Sequence, residues 1–171
     1  MPVPQIDVRD LLGHPGAQRT QELQGTLQDL GTVVASVAQD RPVSGSLLLE
    51  SVVEGILVTG RLTGIFLLEC VRCLTAFEEP FDLPVQEMFV PDAGLEDDEY
   101  PLDPSGLIEP EQMFRDTIGL ELPFAPLCKP DCLGLCPVCG GDRNLGECPG
   151  GHENVDPRWQ GLETLLRIEG N

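Results

Sequence analysis

Five cysteines and one histidine crowd into the stretch from Cys128 to His152, C-K-P-D-C-L-G-L-C-P-V-C-G-G-D-R-N-L-G-E-C-P-G-G-H. The remaining two cysteines, Cys70 and Cys73, form a separate C-V-R-C far upstream. Seven thiols and one imidazole make eight soft ligands, the number that two tetrahedral zinc ions take. A C-x2-C pair suits one metal because a tight turn points both thiolates the same way. The glycines and prolines around these pairs permit such turns. The candidate metal ligands are therefore Cys70, Cys73, Cys128, Cys132, Cys136, Cys139, Cys148 and His152, with zinc as the cofactor, two per chain.

Two partitions of these ligands fit the spacing. In the first, Cys70, Cys73, Cys128 and Cys132 hold one zinc, and Cys136, Cys139, Cys148 and His152 hold the other. In the second, Cys128, Cys132, Cys136 and Cys139 form one crowded site and Cys70, Cys73, Cys148 and His152 form the other. The first is preferred, since each half joins one tight chelate to another. Its long-range site also closes a long loop, where a cross-link restricts the unfolded chain most. A third possibility leaves Cys70 and Cys73 as core thiols beside a single zinc. Four protein ligands close a zinc, whereas a hydrolytic zinc keeps an open position. No H-E-x-x-H, phosphate-cradling glycine loop or G-x-S-x-G occurs, so the reading is non-enzymatic.

The rest of the chain agrees with metal ligation in a reducing compartment. Seven is an odd number of cysteines, which fits a disulfide framework poorly. The apolar stretch from Leu47 to Cys70 is interrupted by Glu50, Glu54, Arg61 and Glu69, so it is not a membrane span. The N-terminus has no basic region followed by an apolar one, so a cytoplasmic location is expected. The formal net charge is -19, from 29 Asp and Glu against 10 Lys and Arg. Two zinc ions on seven thiolates leave the chain about three units more negative still. Such a chain is repelled by exposed phosphate, which argues against DNA and against a broad RNA interface. A basic protein partner is the easier match, while a simple role in solubility is the plainer alternative.

Strand signals dominate up to Val90. Ile6–Leu12 reads as a first strand stopped by Gly13-His14-Pro15-Gly16, Gln18–Asp40 has a weak pattern, and Thr32–Val37 is rich in β-branched residues. Leu47–Val53 and Ile56–Glu69 flank a turn at Glu54-Gly55, with Gly60 and Gly64 as candidate bulges or bends. Ile65–Leu68 is apolar throughout and is expected to be covered on both faces. Beyond the cysteine knuckle, Phe77, Phe81, Leu83, Val85 and Phe89 share one parity and Glu78, Asp82 and Gln86 the other, giving a strand with one wet face. Pro80 and Pro84 suggest a sheet edge. Asp92–Pro104 reads as an acidic, solvated loop, in which Glu96, Asp97, Asp98 and Glu99 are the candidate partner-binding residues. Glu109–Leu122 reads as a helix with Pro110 in its first turn, Pro123 as its stop and Leu107, Phe114, Ile118 and Leu122 as an apolar stripe. A second short helix is expected over Asp156–Ile168, anchored by Trp159. The fold class is α+β: a twisted antiparallel β-sheet with a packed helix and a C-terminal zinc-binding, cysteine-rich segment. The domains are 1–126, a β-rich core with a helix near 109–122, and 127–171, a zinc segment and C-terminal helix stapled to the core through Cys70 and Cys73.

Cys70-Val71-Arg72-Cys73-Leu74, Leu122-Pro123, Pro126-Leu127-Cys128, Cys132-Leu133-Gly134-Leu135-Cys136-Pro137-Val138-Cys139-Gly140, Asn144-Leu145 and Asp156-Pro157-Arg158-Trp159 together resemble the YceD family, named for large ribosomal RNA subunit accumulation. The resemblance runs over nearly the whole chain. Many relatives end the cluster with C-x-C. Here Pro149-Gly150 follows Cys148, and His152 is the candidate replacement. The resemblance implies a bacterial factor needed for accumulation or processing of 23S ribosomal RNA and for large-subunit assembly, with no established catalytic activity. Its partner would be a ribosomal protein or assembly intermediate. The effect on ribosomal RNA would be indirect, or would depend on a small local patch holding Arg72, Lys129 and Arg143. The alternative function is a cytosolic zinc/thiol redox switch or thiol oxidoreductase using Cys70 and Cys73 or Cys136 and Cys139.

Overall fold

The computed structural model describes residues 1–91 and 99–152. The chain divides into two compact units, one made of Met1–Val71 with Thr75–Cys128, the other of Arg72–Leu74 with the chain that follows from Lys129. The first unit is α+β. Its strands are β1 (Ile6–Asp7), β2 (Gln18–Gly25), β3 (Ala35–Val37), β4 (Val43–Ser51), β5 (Ile56–Glu69), β6 (Ala76–Val90), β7 (Tyr100–Pro101) and β8 (Leu107–Ile108), followed by helix α1 (Pro110–Leu120).

β5 is the spine of the main sheet. It pairs along its length with β6, from Ile56↔Phe89 to Glu69↔Ala76. Its other edge is shared: β4 covers Ile56–Thr63, and β3 takes over at Phe66–Leu68. β2 lies outside β4, and β7 adds to β6 in parallel at Phe89 and Val90. All other pairs are antiparallel. Successive side chains alternate between core and solvent along β4 and most of β5, as the pleat requires. On the core face Leu47, Leu49, Ile56, Val58 and Leu62 are fully buried. Helix α1 adds Met113, Phe114 and Ile118 to the same core, all completely buried. Pro110 sits at the helix start, where its missing N–H costs nothing.

Gly45 lets the helix come this close. A Cβ there would lie 2.7 Å from the Phe114 ring. Gly60 and Gly64, expected as bulges or bends, lie in unbroken register opposite Val85 and Phe81. Their reason is close approach: a Cβ on Gly64 would lie 2.5 Å from the Phe81 ring, which packs on Phe66 at a centroid distance of 4.5 Å.

Other local expectations shift. Ile6–Leu12 is a strand only at Ile6–Asp7, because the Leu11 and Leu12 N–H groups both turn back to Val8 O. Thr32–Val37 contracts to β3, Ala35–Val37. The weak stretch holds an eight-residue strand, β2, whose only buried positions are Leu23 and Gly25, so its polar face hid it. Leu67 is exposed and Ile65 half-buried, so the second face of Ile65–Leu68 is covered only in part. Asp92–Pro104 is not wholly a solvated loop: Tyr100 stacks on Phe89 at 5.3 Å, and Leu102 is buried. Leu107 belongs to β8 rather than to the helix stripe. Pro80 and Pro84 sit on β6, where β7 pairs only Phe89 and Val90 on the outer side, so the edge reading stands for the described residues. The expected helix over 156–168, with Trp159, lies outside the described residues, as do Glu96, Asp97 and Asp98. Among the described residues no helix is long and apolar enough to cross a membrane.

Candidate metal centres

β5 ends at Glu69, and the chain turns at once. The Cys70 N–H bonds to Thr75 O at 3.0 Å, closing a loop that carries both Cys70 and Cys73. Leu74 completes this loop with φ of 60°, a left-handed conformation that a side chain adopts only under local constraint. Val71 N–H, in the same turn, bonds to Pro126 O at 3.0 Å, which brings the segment before Cys128 beside it. Cys132 closes its own turn through its N–H to Lys129 O at 3.1 Å.

Arg72, a candidate with Lys129 and Arg143 for a small basic patch, is exposed; its guanidinium donates to Cys132 O at 2.9 Å, and its own carbonyl accepts from Leu135 N–H at 2.9 Å. Gly134, at φ of 70°, passes so close that a Cβ would lie 2.7 Å from Arg72 O. Lys129 and Arg143 are exposed.

The sulfurs of Cys70, Cys73, Cys128 and Cys132 all lie within 4.8 Å of one another, and three of these residues are buried. Cys136, Cys139, Cys148 and His152 form a second group under the same limit. Tetrahedral zinc with Zn–S bonds of about 2.3 Å needs ligand atoms about 3.8 Å apart, so no pair in either group exceeds that spacing by more than about 1 Å. Cys128 and Cys132 are thus grouped with Cys70 and Cys73, not with Cys136 and Cys139.

The second group is built from two tight turns. Gly140, at φ of 73°, follows Cys139 and returns its N–H to Cys136 O at 2.9 Å. Gly150 and Gly151, both left-handed, carry the chain from Cys148 to His152. His152 Nε2 is buried with no hydrogen-bond partner. A buried ring nitrogen without a partner is costly, and a metal among three thiols would satisfy it. The donor sets, four sulfurs in one group and three sulfurs with one nitrogen in the other, are those that structural zinc takes. Zinc fits the residues present.

Two thiols of this group, Cys136 and Cys148, are shifted in opposite directions. Cys136 is pulled from the ordinary thiol value of 9.0 down to about 6, first by the Cys139 backbone N–H and next by that of Val138. Cys148 is shifted up: the Gly150 N–H favours its thiolate, but the Cys136 sulfur, burial and the Cys139 sulfur outweigh that. Without metal, the group thus concentrates its first negative charge on Cys136, and a cation would release the rest as thiolates. Metal-free protein should therefore show Cys136 as its thiolate at pH 7, with an alkylation rate that falls by half near pH 6 rather than near 9. Because the folded value is depressed, the stabilisation is complete above pH 9 and is lost as pH falls through about 6. Rate against pH, followed at Cys136 by peptide mass analysis, checks this. A midpoint near 9 would contradict it.

The fold and the two ligand groups define a class: an α+β protein whose cysteine knuckles form two four-ligand groups, each able to hold a metal ion. The family model described as Large ribosomal RNA subunit accumulation protein YceD matches residues 58–166. An uncharacterized protein of Mycobacterium tuberculosis (strain ATCC 25618 / H37Rv) is 37% identical over 175 residues, covering 97% of this chain and 83% of its own length. One from Mycobacterium leprae (strain TN) is 35% identical over 168 residues, covering 94% and 76% respectively. The uncharacterized protein YlbN of Bacillus subtilis (strain 168) is 28% identical over 109 residues, covering 62% of this chain and 63% of its own. No solved structure matches. The chain belongs to the YceD family, whose description assigns it to large-subunit ribosomal RNA accumulation.

Proposed function

We propose that this protein is a non-enzymatic, zinc-stabilised cytoplasmic factor for accumulation or processing of 23S ribosomal RNA during large-subunit assembly, acting by binding a ribosomal protein or assembly intermediate. The observation that carries the reading is the pair of four-ligand groups in a chain of this family. Zinc held by four protein ligands has no open position for water or substrate, so its role is to hold structure. In this reading residues 1–126 and 127–171 are the folding parts, and ligation by Cys70 and Cys73 makes the folding of one depend on the other.

The partner surface is acidic. Glu99 is exposed and lines an open groove with Glu87, Asp116 and Glu121. Arg115, the basic residue of this lining, already donates to Gln28 O at 2.5 Å and faces Glu111 at 3.5 Å. With a chain charge of -19 this favours a Lys- and Arg-rich polypeptide over phosphate. The proposed docking residues are Glu96, Asp97, Asp98 and Glu99. Neutralising all four should slow association with protein-bearing assembly intermediates by about tenfold at low salt, with the difference shrinking as salt screens it. Stopped-flow or surface binding at two ionic strengths reads this. Tight binding to protein-free 23S RNA, unchanged in the variant, would overturn the model and move the functional surface to the knuckles.

A second reading, a zinc/thiol redox switch, draws on the depressed Cys136 thiol. Zinc release by mild peroxide that is reversible and switches on an activity would favour it.

A further inference from the structure

We infer that Asn144 is a positioning residue that couples the two cysteine groups: its carboxamide, fixed by the loop between Cys139 and Cys148, holds the sulfur of Cys132 in the other group. This rests on the two-zinc reading above. Asn144 Nδ2 donates to Cys132 Sγ at 3.6 Å and to Asp142 Oδ1 at 2.8 Å. Its Oδ1 accepts from Leu133 N–H at 2.9 Å, next to that cysteine. The amide orientation follows from these partners. A backbone N–H can only donate, so the oxygen must face Leu133, and the two N–H groups must face the carboxylate and the sulfur.

Asn144 is itself held from behind. Its backbone N–H bonds to Asp142 Oδ1 at 2.7 Å. Asp142 is tied by its N–H to Glu147 Oε2 at 3.0 Å, by its carbonyl to Glu147 N–H at 3.0 Å, and by a β-bridge to Leu135. The bridge and the Cys136 N–H to Gly141 O bond close the knuckle that presents Cys136 and Cys139. The loop that the second group must order thus delivers an N–H donor to a ligand of the first. Cys132 is 2% exposed, so water is a poor substitute for that donor. An N–H···S bond withdraws charge from a metal-bound thiolate and fixes its direction, and outer contacts of this kind carry about 10–100-fold in metal affinity.

The test is a double-mutant cycle on the full chain between Asn144→Ala and Cys148→Ser, reading the affinity of the Cys70/Cys73/Cys128/Cys132 group for zinc by chelator competition. Cobalt substitution supplies a second readout. Each single change should lower that affinity about tenfold or more, and the double change no further than the larger single one. In Asn144→Ala the thiolate-to-cobalt charge-transfer band should move to lower energy, which a merely structural loss would not produce. Asn144→Asp keeps the oxygen toward Leu133 but removes the donor to sulfur. It should reproduce the affinity loss in a folded protein. First-group affinity within twofold of wild type in both Asn144 variants, or effects of Asn144→Ala and Cys148→Ser that multiply as independent, would overturn the coupling while two metals per wild-type chain are retained. A wild type that takes up a single metal would instead overturn the two-zinc reading itself.

Discussion

Cys70→Ser should leave the purified protein with about one zinc per chain instead of two and lower its stability by at least about 3 kcal/mol. Cys70 is fully buried at the end of the longest ladder in the sheet, where its N–H already closes the turn to Thr75. Its sulfur shares a group with Cys73, Cys128 and Cys132. Serine keeps the turn but is a poor zinc ligand, so three thiols remain crowded without the ion that neutralises them. Structural zinc supplies roughly 10–16 kcal/mol of binding free energy in small domains, and only part of it need be lost to exceed 3 kcal/mol. For a chain of this size the melting temperature should fall by roughly 6–12 °C. Cys148→Ser should empty the other group and leave Cys70 and its partners loaded. Elemental analysis beside thermal unfolding separates the outcomes. If both variants lose the same zinc, the grouping is wrong.

Phe114→Ala should cost about 3–5 kcal/mol with metal content unchanged. The ring is completely buried, and Gly45 has given up its own side-chain space to admit it. Alanine leaves a hole that the backbone of β4 cannot close, since Leu47 and Leu49 on the same strand are held in register by both β2 and β5. Denaturant unfolding with zinc saturating measures the loss. A cost below 1 kcal/mol would mean that the helix is not packed on the sheet as described.

How much of this was legible beforehand depended on the kind of signal. Metal-ligand spacing carries its own geometry, so all eight ligand candidates could be named from the chain alone. β5 was equally plain, Ile56 to Glu69, because its apolar residues alternate over a long run. β2 was hidden because a strand exposed over most of its length has no period to show. The reasons for Gly60 and Gly64 were hidden too, because a glycine needed for close approach looks like a glycine needed for a bend until the opposing residue is known. The hydrogen bond from the Arg72 guanidinium to the Cys132 carbonyl was hidden for a related reason: it joins two turns 60 residues apart in the chain. Asn144 belonged to the family resemblance, yet its partners, Cys132 and Leu133, lie across a fold in the chain that spacing alone does not reveal.

The central claim is that zinc-held structure in this protein sustains large-subunit ribosomal RNA. The most direct measurement is the ratio of 23S to 16S RNA in cells depleted of the protein and supplied with either wild type or a Cys70→Ser, Cys148→Ser double variant. The account predicts a lowered ratio on depletion, restored by wild type and not by the variant. A ratio that stays unchanged on depletion, or that the zinc-free variant restores in full, would contradict it.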